Sequence, residues 1–310
     1  MSQTAASLPG GTSGQQDFAS VKRQARPGLA ALLLPYGVIA LFIAIAALFM
    51  VAPTVMLAVQ SVTGDDGLTL QYLADLGSEN TVNAFKNSII LSVASAGVGV
   101  VAGGLLAYFV LKPATPHTVR SAVTSFSAVA ANFAGVPLAF AFVSTLGTLG
   151  MLTQGFRAVG VDIYRLGFSL YSLTGLTLVY SYFQIPLMVI IIIPAFEAMR
   201  PSWREAAENL GASNLQYWRM VGLPVLAPSL LAGWILLFGS AFSAYATAYA
   251  LTSGNISLVT TEISAVLSGN ISSEPQVGAA LSVGMIVVMV LVLALSQFLS
   301  KRAARWAVKS

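Results

Sequence analysis

Long uninterrupted apolar runs constrain this chain more than any other feature of its sequence. Six of them are close to or above the length of about 20 residues that a helix needs to cross roughly 30 Å of hydrocarbon. A soluble fold could not bury so many, since 56% of the 310 residues are apolar and 8% are charged. A membrane barrel would show a short alternating pattern, which this sequence lacks. The sequence therefore predicts an all-α polytopic membrane protein with six transmembrane helices.

The apolar runs divide the chain into spans and connections. A polar, Gly-rich stretch at the start predicts a disordered tail, and Pro53 near the end of the first run predicts a kink or an exit from the bilayer. Gly99 and Gly103 share one face of the second run, where another helix could approach closely. The predicted regions are the tail 1–28, the first span 29–59, a loop 60–87, spans 88–110, 122–146, 173–196, 227–251 and 278–299, and a basic tail 301–310.

The distribution of basic residues predicts the orientation. Six spans place both ends on one side, and twelve Lys or Arg residues fall on that side. Only Lys86, Arg157 and Arg165 fall on the other. Because cytoplasmic loops are enriched in Lys and Arg, both termini are expected in the cytoplasm and the loop 60–87 outside it. The same distribution explains the basic charge without nucleic acid.

Several kinds of chemistry are excluded by what the sequence lacks. It has no cysteine, which excludes disulfides, thiolate metal sites and cysteine nucleophiles. It has no Gly-rich phosphate-binding motif of the kind that precedes Lys-Ser/Thr, so we do not expect this chain to hydrolyse ATP alone. No charged residue lies at mid-membrane depth in the predicted spans, which disfavours a proton-coupled carrier. We expect no catalytic residue, no metal site and no cofactor on this chain.

A charged segment, residues 201–224, interrupts the apolar runs on the side of the termini. Its sequence is PSWREAAENLGASNLQYWRMVGLP. Pro201 cannot continue the preceding helix, and Ser202 with Glu205 has capping-box spacing, so a short helix is predicted from Trp203. Gly211 suits a left-handed residue after that helix.

The second half of the 201–224 segment repeats the pattern. Ser213 and Gln216 again have capping-box spacing, and Pro224 is expected to end or bend the second helix. Local physics alone leaves two readings open for this helix–turn–helix. It could be a docking surface, or an interfacial hairpin that buries Trp203 and Trp218 among lipid headgroups.

The 201–224 segment also resembles a known family signature. Glu205-Ala206-Ala207, then Gly211 after three residues, then Val221-Gly222-Leu223-Pro224 after nine more, resembles the EAA signature of bacterial ABC-importer permeases. That signature reads EAA, three residues, G, nine residues, I-x-L-P, so Val221 stands where Ile is usual. Asn87-Ser88 is similar to the start of the core in these permeases. The resemblance covers roughly residues 85–300.

The resemblance implies a set of roles and partners. Residues 88–300 would be the permease core with five spans, in a multi-pass protein of the bacterial inner membrane, and the 201–224 segment would dock on an ATPase. Implied partners are two ATPase subunits that carry ATP and Mg, a second permease subunit, identical or homologous, an extracytoplasmic solute-binding protein and the lipid bilayer. The implied coupling residues are Trp203, Glu205, Ala206, Ala207, Gly211, Trp218, Leu223 and Pro224.

The solute and its path are less constrained. The layout resembles the polyamine, iron(III), thiamine and phosphonate branch of these permeases, and a polyamine is the predicted solute. The other solutes of that branch, a sugar, a secondary carrier or channel and a membrane scaffold are the alternatives. Neutral polar and aromatic residues in the third to fifth spans are the path candidates: Asn132, Tyr180, Tyr182, Gln184, Ser240, Ser243, Tyr245 and Tyr249.

Overall fold

The structure is a computed structural model that describes residues 29–64, 67–269 and 275–309. The predicted tail 1–28 lies outside the described residues. Within them the chain forms α1 Leu29–Ala46, α2 Ala52–Gln60, β1 Thr63–Gly64, β2 Gly67–Leu68, α3 Gln71–Ala74, α4 Glu79–Val110, α5 His117–Ala130, α6 Val136–Leu146, α7 Met151–Ala158, α8 Leu173–Glu197, α9 Pro201–Asn209, α10 Asn214–Tyr217, α11 Leu223–Ser243, α12 Ala246–Thr252, α13 Val259–Leu267 and α14 Pro275–Lys309. Ala47–Val51 and Trp218–Gly222 are π-helical, Asp75–Gly77 is a 3-10 turn, and β1 and β2 pair antiparallel.

Six helical segments of the described chain are long and apolar enough to cross a membrane, which confirms the predicted fold class. Four of the six segments have at least one end within a few residues of the predicted bound, and the other bounds differ more. The segments are Gly37–Gln60, Glu79–Val110, Val136–Ala158, Leu173–Glu197, Asn214–Ser243 and Pro275–Phe298.

The chain divides into two compact units, Met1–Val55 and Met56–Ser310. In the first, α1 passes into the π-helical stretch Ala47–Val51, which ends two residues before Pro53. Proline lacks the N–H that would continue the helical ladder, and the wider turn accommodates that loss without ending the helix. The Thr54 hydroxyl donates to the Met50 carbonyl at 2.8 Å. The predicted disturbance at Pro53 is therefore a local π-bulge.

The core of the second unit is built on a close crossing of α4 and α8. A Cβ at Gly103 would lie 2.6 Å from the Ile185 carbonyl oxygen and 2.7 Å from Met188 Cβ. A Cβ at Gly99 would lie 2.5 Å from a Leu237 methyl of α11. Both glycines are buried. The predicted small-residue packing face is confirmed, because only hydrogen fits at these two positions.

The predicted third span, 122–146, is not one helix. The structure breaks it between α5 and α6, where Gly135 has φ +78° and its N–H donates to the Thr247 hydroxyl at 2.7 Å. Pro137 lies in the first turn of α6, where its missing N–H has no helical partner and costs little. The segment that meets the length and hydropathy of a span is Val136–Ala158, which includes α7. Residues 147–158 lie between the predicted spans 122–146 and 173–196, so the prediction placed them in a connection rather than in this segment.

The predicted fifth span, 227–251, is also wrong in its bounds. Helix α11 ends at Ser243, and α12 starts at Ala246 after a break. The hydroxyl of Tyr180 in α8 donates to the Ala244 carbonyl at 2.8 Å, which satisfies a backbone acceptor freed by that break. At its other end the span extends back to Asn214.

Two further boundaries move outward. Helix α4 begins at Glu79, and within the described residues of the predicted loop 60–87 it is preceded by β1, β2, α3 and a 3-10 turn. Helix α14 continues to Lys309, so the predicted basic tail 301–310 is backbone of the last helix through that residue. Straight-chain and alanine residues around 301–309 favour helix even though they are too polar for a span.

Candidate functional site

The first helix of the 201–224 segment is α9, and its start differs from prediction. It begins at Pro201, and its N-cap, Arg200, makes no side-chain capping bond. The predicted Ser202–Glu205 capping box is therefore wrong, because Ser202 lies inside the first turn. Proline is well suited to the first helical position, since its missing N–H has no helical partner there. Arg204 Nε instead bonds Glu208 Oε1 at 2.9 Å, one turn further on.

The turn after α9 is a Schellman motif. Gly211 has φ +77°, its N–H donates to the Glu208 carbonyl at 2.9 Å, and the Ala212 N–H donates to the Ala207 carbonyl at 3.0 Å. No heavy atom lies within 4 Å of a Cβ built at Gly211. The predicted left-handed glycine is confirmed, and backbone conformation rather than space requires it.

The second helix of the segment is capped as predicted, and of the two outcomes expected at Pro224 the structure shows continuation into the next span. Ser213 N–H donates to Gln216 Oε1 at 2.7 Å and Gln216 N–H donates to Ser213 Oγ at 3.3 Å, which is a complete capping box. The chain then continues through the π-helical stretch Trp218–Gly222 into α11. As before Pro53, the π-bulge ends two residues before a proline, Pro224, so the helix passes through it.

An open apolar groove lies along one side of the segment. Ala206, Ala207 and Leu210 line one wall and Val221 and Val225 the other, with Trp203 contributing its ring. Leu210 is 86% exposed although it is a large apolar side chain. Exposed apolar surface in such a concave arrangement is typical of a protein-binding site.

Glu205 is exposed and makes no ion pair with any residue that the structure describes. Its neighbour on the helix, Glu208, is paired with Arg204. One carboxylate of α9 is thus held within the chain and the other is free to contact a partner. Leu223 is also exposed, whereas Pro224 is half-buried at the start of α11.

Trp218 is half-buried and packs within the chain, and its predicted contact with an ATPase stays a prediction. Its ring stands edge-on to Tyr108 at the end of α4, with 5.0 Å between ring centroids. A Cβ at Gly222 would lie 2.5 Å from the Trp218 ring. Trp218 and the buried Tyr217 therefore fix the base of the segment to α4. The contact between Trp218 and Tyr108 was not predicted, because no spacing rule connects residues so far apart along the chain.

The path candidates do not form one lining in this chain. Tyr180 and Gln184 are fully buried. Gln184 Nε2 donates to Ser95 Oγ at 3.1 Å, and its Oε1 has no hydrogen-bond partner. These two residues are enclosed between helices in this structure, and their place on a solute path stays a prediction.

The other path candidates are partly or fully exposed. Tyr245 accepts a hydrogen bond from Ser264 and stacks on Tyr249, with 5.2 Å between ring centroids. Tyr182 contacts two phenylalanine rings of the broken third span. The remaining candidates bond backbone carbonyls of their own helix or lie half-buried, and these are Asn132, Ser240 and Ser243. No group of three potential metal ligands occurs in the part of the chain that the structure describes.

Comparison with known protein families identifies this architecture. Residues 99–305, more than half of the chain, match the model of the binding-protein-dependent transport system inner membrane component family. The chain belongs to this family. It is an ABC-importer permease subunit and a multi-pass membrane protein, and its family is one of non-catalytic transport subunits. The matched residues include the whole 201–224 segment and the last five predicted spans, apart from the start of the second span before Gly99.

Individual relatives are sulfate and thiamine permeases. The chain is 40% identical over 68 residues to the sulfate transport system permease protein CysT of Salmonella typhimurium, covering 22% of this chain and 24% of that relative. It is 24% identical over 225 residues to CysW of Synechocystis sp., covering 72% and 78%. It is 26% identical over 165 residues to the thiamine permease ThiP of Salmonella typhimurium, covering 53% and 30%. The match thus spans about a quarter of CysT.

A solved structure has the same fold. A chain from the crystal structure of a bacterial ABC transporter involved in the import of the acidic polysaccharide alginate superposes with a TM-score of 0.70 at 20% identity, covering 87% of this chain and 95% of that chain. A second structure of a bacterial alginate ABC transporter, in complex with a periplasmic protein that holds an alginate pentasaccharide, gives a TM-score of 0.69 at 19% identity.

Proposed function

We propose that this permease subunit receives motion from a partner ATPase through the 201–224 segment. The observation that carries the proposal is the shape of that segment: a helix, a Schellman turn and a second helix, with an apolar groove and a free Glu205 on its surface. The partner ATPase would carry ATP and Mg. A helix or ridge on its surface would fill the apolar groove beside the exposed Leu210. Two ATPase subunits are proposed, one for each permease subunit.

The connection to the membrane supports this role. From Asn214 to Ser243 the backbone is one helical rod, so movement of the segment displaces α11 directly. The rod is held to α8 at its far end by the Tyr180–Ala244 hydrogen bond. Motion at the segment would thereby change how α8 and α11 pack, which is the kind of rearrangement that alternating access requires.

The remaining partners and the orientation belong to the same proposal. The excess of Lys and Arg on the side of the 201–224 segment supports a cytoplasmic position for it and for both termini. A second permease subunit would complete the path, and a binding protein on the outer side would deliver the solute. The family description names binding-protein dependence, which supports that last partner.

The solute is proposed as a small hydrophilic molecule. A polyamine stays a prediction that none of the relatives' names supports, since those names are sulfate and thiamine. Sulfate is the second candidate because the relatives CysT and CysW carry that name. Hydroxyl and amide groups can hydrogen-bond a cationic or an anionic solute. The neutral path candidates therefore do not distinguish a polyamine from sulfate.

The solute can be determined with the full transporter in proteoliposomes. The chain is reconstituted with an ATPase subunit and a binding protein from the same organism, and ATP-dependent uptake of labelled spermidine, sulfate and thiamine is measured. Uptake that depends on ATP and on the binding protein supports the importer assignment for whichever solute enters. Uptake without the ATPase would instead indicate a secondary carrier or channel. If spermidine, sulfate and thiamine all fail to enter, all three are excluded as the solute.

Changing Glu205 to lysine is expected to weaken ATPase docking. Reversing a charge at an interfacial contact costs about 2 kcal/mol, roughly a thirtyfold loss of affinity. Retention of the ATPase by the tagged permease in a pull-down measures it. Glu79→Lys, an exposed glutamate at the start of α4, is the matched control and should retain the ATPase. Undiminished retention in Glu205→Lys would contradict the proposed contact.

A further inference from the structure

An apolar groove separates α4 from α11 beside the base of the 201–224 segment. Val101, Gly104 and Tyr108 line the α4 side, and Leu226 and Leu230 line the α11 side. Its volume is about 450 Å³, within the range of small-molecule sites. Gly104 leaves the wall open, because a Cβ there would meet only a Leu230 methyl, at 3.8 Å.

The groove lies at membrane depth and runs toward one membrane surface. Its α4 wall from Val101 to Tyr108 covers about 10 Å at the helical rise of 1.5 Å per residue. That helix is a candidate span ending at Val110, so the groove occupies its last turns. The occupant of such a site is in contact with the acyl region at one end and the headgroup region at the other.

The positively charged side chain of Lys112 lies at the headgroup end of the groove. A second, smaller cavity continues the groove, shares Tyr108 and Trp218 with it, and is lined by Lys112 and Arg204. Arg204 is paired with Glu208, whereas Lys112 forms no ion pair with any described residue. Lys112 Nζ lies over the Tyr108 ring, 4.9 Å from its centroid. The free positive charge is therefore placed two residues beyond the end of the span.

We propose that this groove binds an anionic phospholipid, with one acyl chain between α4 and α11 and the phosphate beside Lys112. Charge complementarity selects the headgroup, and the apolar lining selects the chain. The proposal rests on the proposed orientation only for the name of the leaflet, which would be the cytoplasmic one. Trp218 lies in the π-bulge that connects α10 to α11. A bound lipid that contacts Trp218 would therefore also stabilise this connection.

The headgroup contact is tested by native mass spectrometry of the full chain in mild detergent. Phosphatidylglycerol and phosphatidylcholine are titrated separately. The wild-type chain is expected to bind phosphatidylglycerol more tightly, and Lys112→Ala to lose about fivefold of that affinity, the effect of one basic residue near anionic lipid. Phosphatidylcholine binding should not change. Lys86→Ala, an exposed lysine near the other end of α4, is the matched control and should bind both lipids as wild type does.

The acyl-chain contact has its own pair of variants. Gly104→Leu fills the groove and is expected to reduce binding of both lipids, whereas Gly97→Leu, on the same helix with no heavy atom within 4 Å of its Cβ, should leave both unchanged. Equal binding of the two lipids by wild type, or wild-type binding of phosphatidylglycerol by Lys112→Ala, would overturn the proposal.

A second copy of the chain is the alternative occupant, and the same spectra distinguish it. If Gly104→Leu changes the oligomeric mass while phosphatidylglycerol binding stays the same, the groove is a subunit interface and the lipid assignment is wrong. These measurements use no ATPase and no solute. Failure of the lipid proposal is therefore distinguishable from failure of ATP-dependent uptake.

Discussion

Replacing Gly103 with leucine is expected to disrupt the folded core. Its Cβ would lie 2.6 Å from the Ile185 carbonyl oxygen, and a backbone atom of a packed helix cannot move away by itself. Helices α4 and α8 would have to separate, and the expected destabilisation is at the upper end of the roughly 1–3 kcal/mol typical of overpacked cores. The thermal transition of the detergent-purified chain, followed by circular dichroism, measures the loss.

Gly97→Leu provides the control for this prediction. It adds the same side chain to the same helix, but no heavy atom lies within 4 Å of a Cβ at Gly97. Leucine is a good helix former, so any change in helix propensity is shared by both variants. Equal transition temperatures for Gly103→Leu and Gly97→Leu would contradict the close crossing of α4 and α8.

Replacing Gly211 with valine is expected to abolish coupled transport while leaving the protein in the membrane. A β-branched residue at φ +77° is strained by about 1–2 kcal/mol or more, so the Schellman turn would open and α9 would lose its angle to α10. The six spans do not depend on this turn. ATP-dependent uptake in proteoliposomes should fall to background, with membrane insertion unchanged by immunoblot.

The control for Gly211→Val is the same strain at a place outside the 201–224 segment. Gly167 has φ +92° and open space around its Cβ, and it lies in the connection between α7 and α8. Gly167→Val should therefore keep its uptake. Gly211→Asn should also retain most of it, because asparagine tolerates the left-handed conformation. Solute-stimulated uptake at the wild-type rate in Gly211→Val would exclude the turn as a coupling element.

Local rules predicted the elements whose cause is local. The six spans follow from the lengths of the apolar runs, and the Ser213–Gln216 capping box and the left-handed Gly211 follow from residues within one turn of each other. The Ser202–Glu205 capping box had the same spacing but does not form, because Pro201 already starts the helix. Two signals for a helix start compete there, and a spacing rule considers only one.

Breaks inside spans could not be predicted from apolar length. The chain leaves the helix before Pro137 and after Ser243, yet continues through Pro53 and Pro224 by means of π-bulges. Whether a proline breaks a membrane helix depends on partners for the freed backbone groups. Thr247 supplies one at Gly135 and Tyr180 supplies another at Ala244, and both are distant in sequence.

In the candidate site, too, some features follow from local sequence and others depend on contacts between distant residues. In α9, where a docking surface was expected, Glu205 and Ala206 are exposed and Ala207 is half-buried, and the docking role stays a prediction. Trp218 packs on Tyr108 within the chain, a contact that was not predicted, and its expected contact with a partner stays a prediction. The eight path candidates were chosen by polarity and depth alone, and the structure encloses Tyr180 and Gln184 while exposing others.

By itself the sequence determined the membrane class, the number of spans, the family signature and the chemistry of the turn in the 201–224 segment, because apolar length, charge distribution and glycine conformation act over a few neighbouring residues. Only the tertiary structure decided where the spans break, which tryptophan anchors the segment, and that Lys112 lines the cavity continuing the apolar groove between α4 and α11. These features depend on which distant side chains meet across packed helices, and that packing is set by shape rather than by spacing.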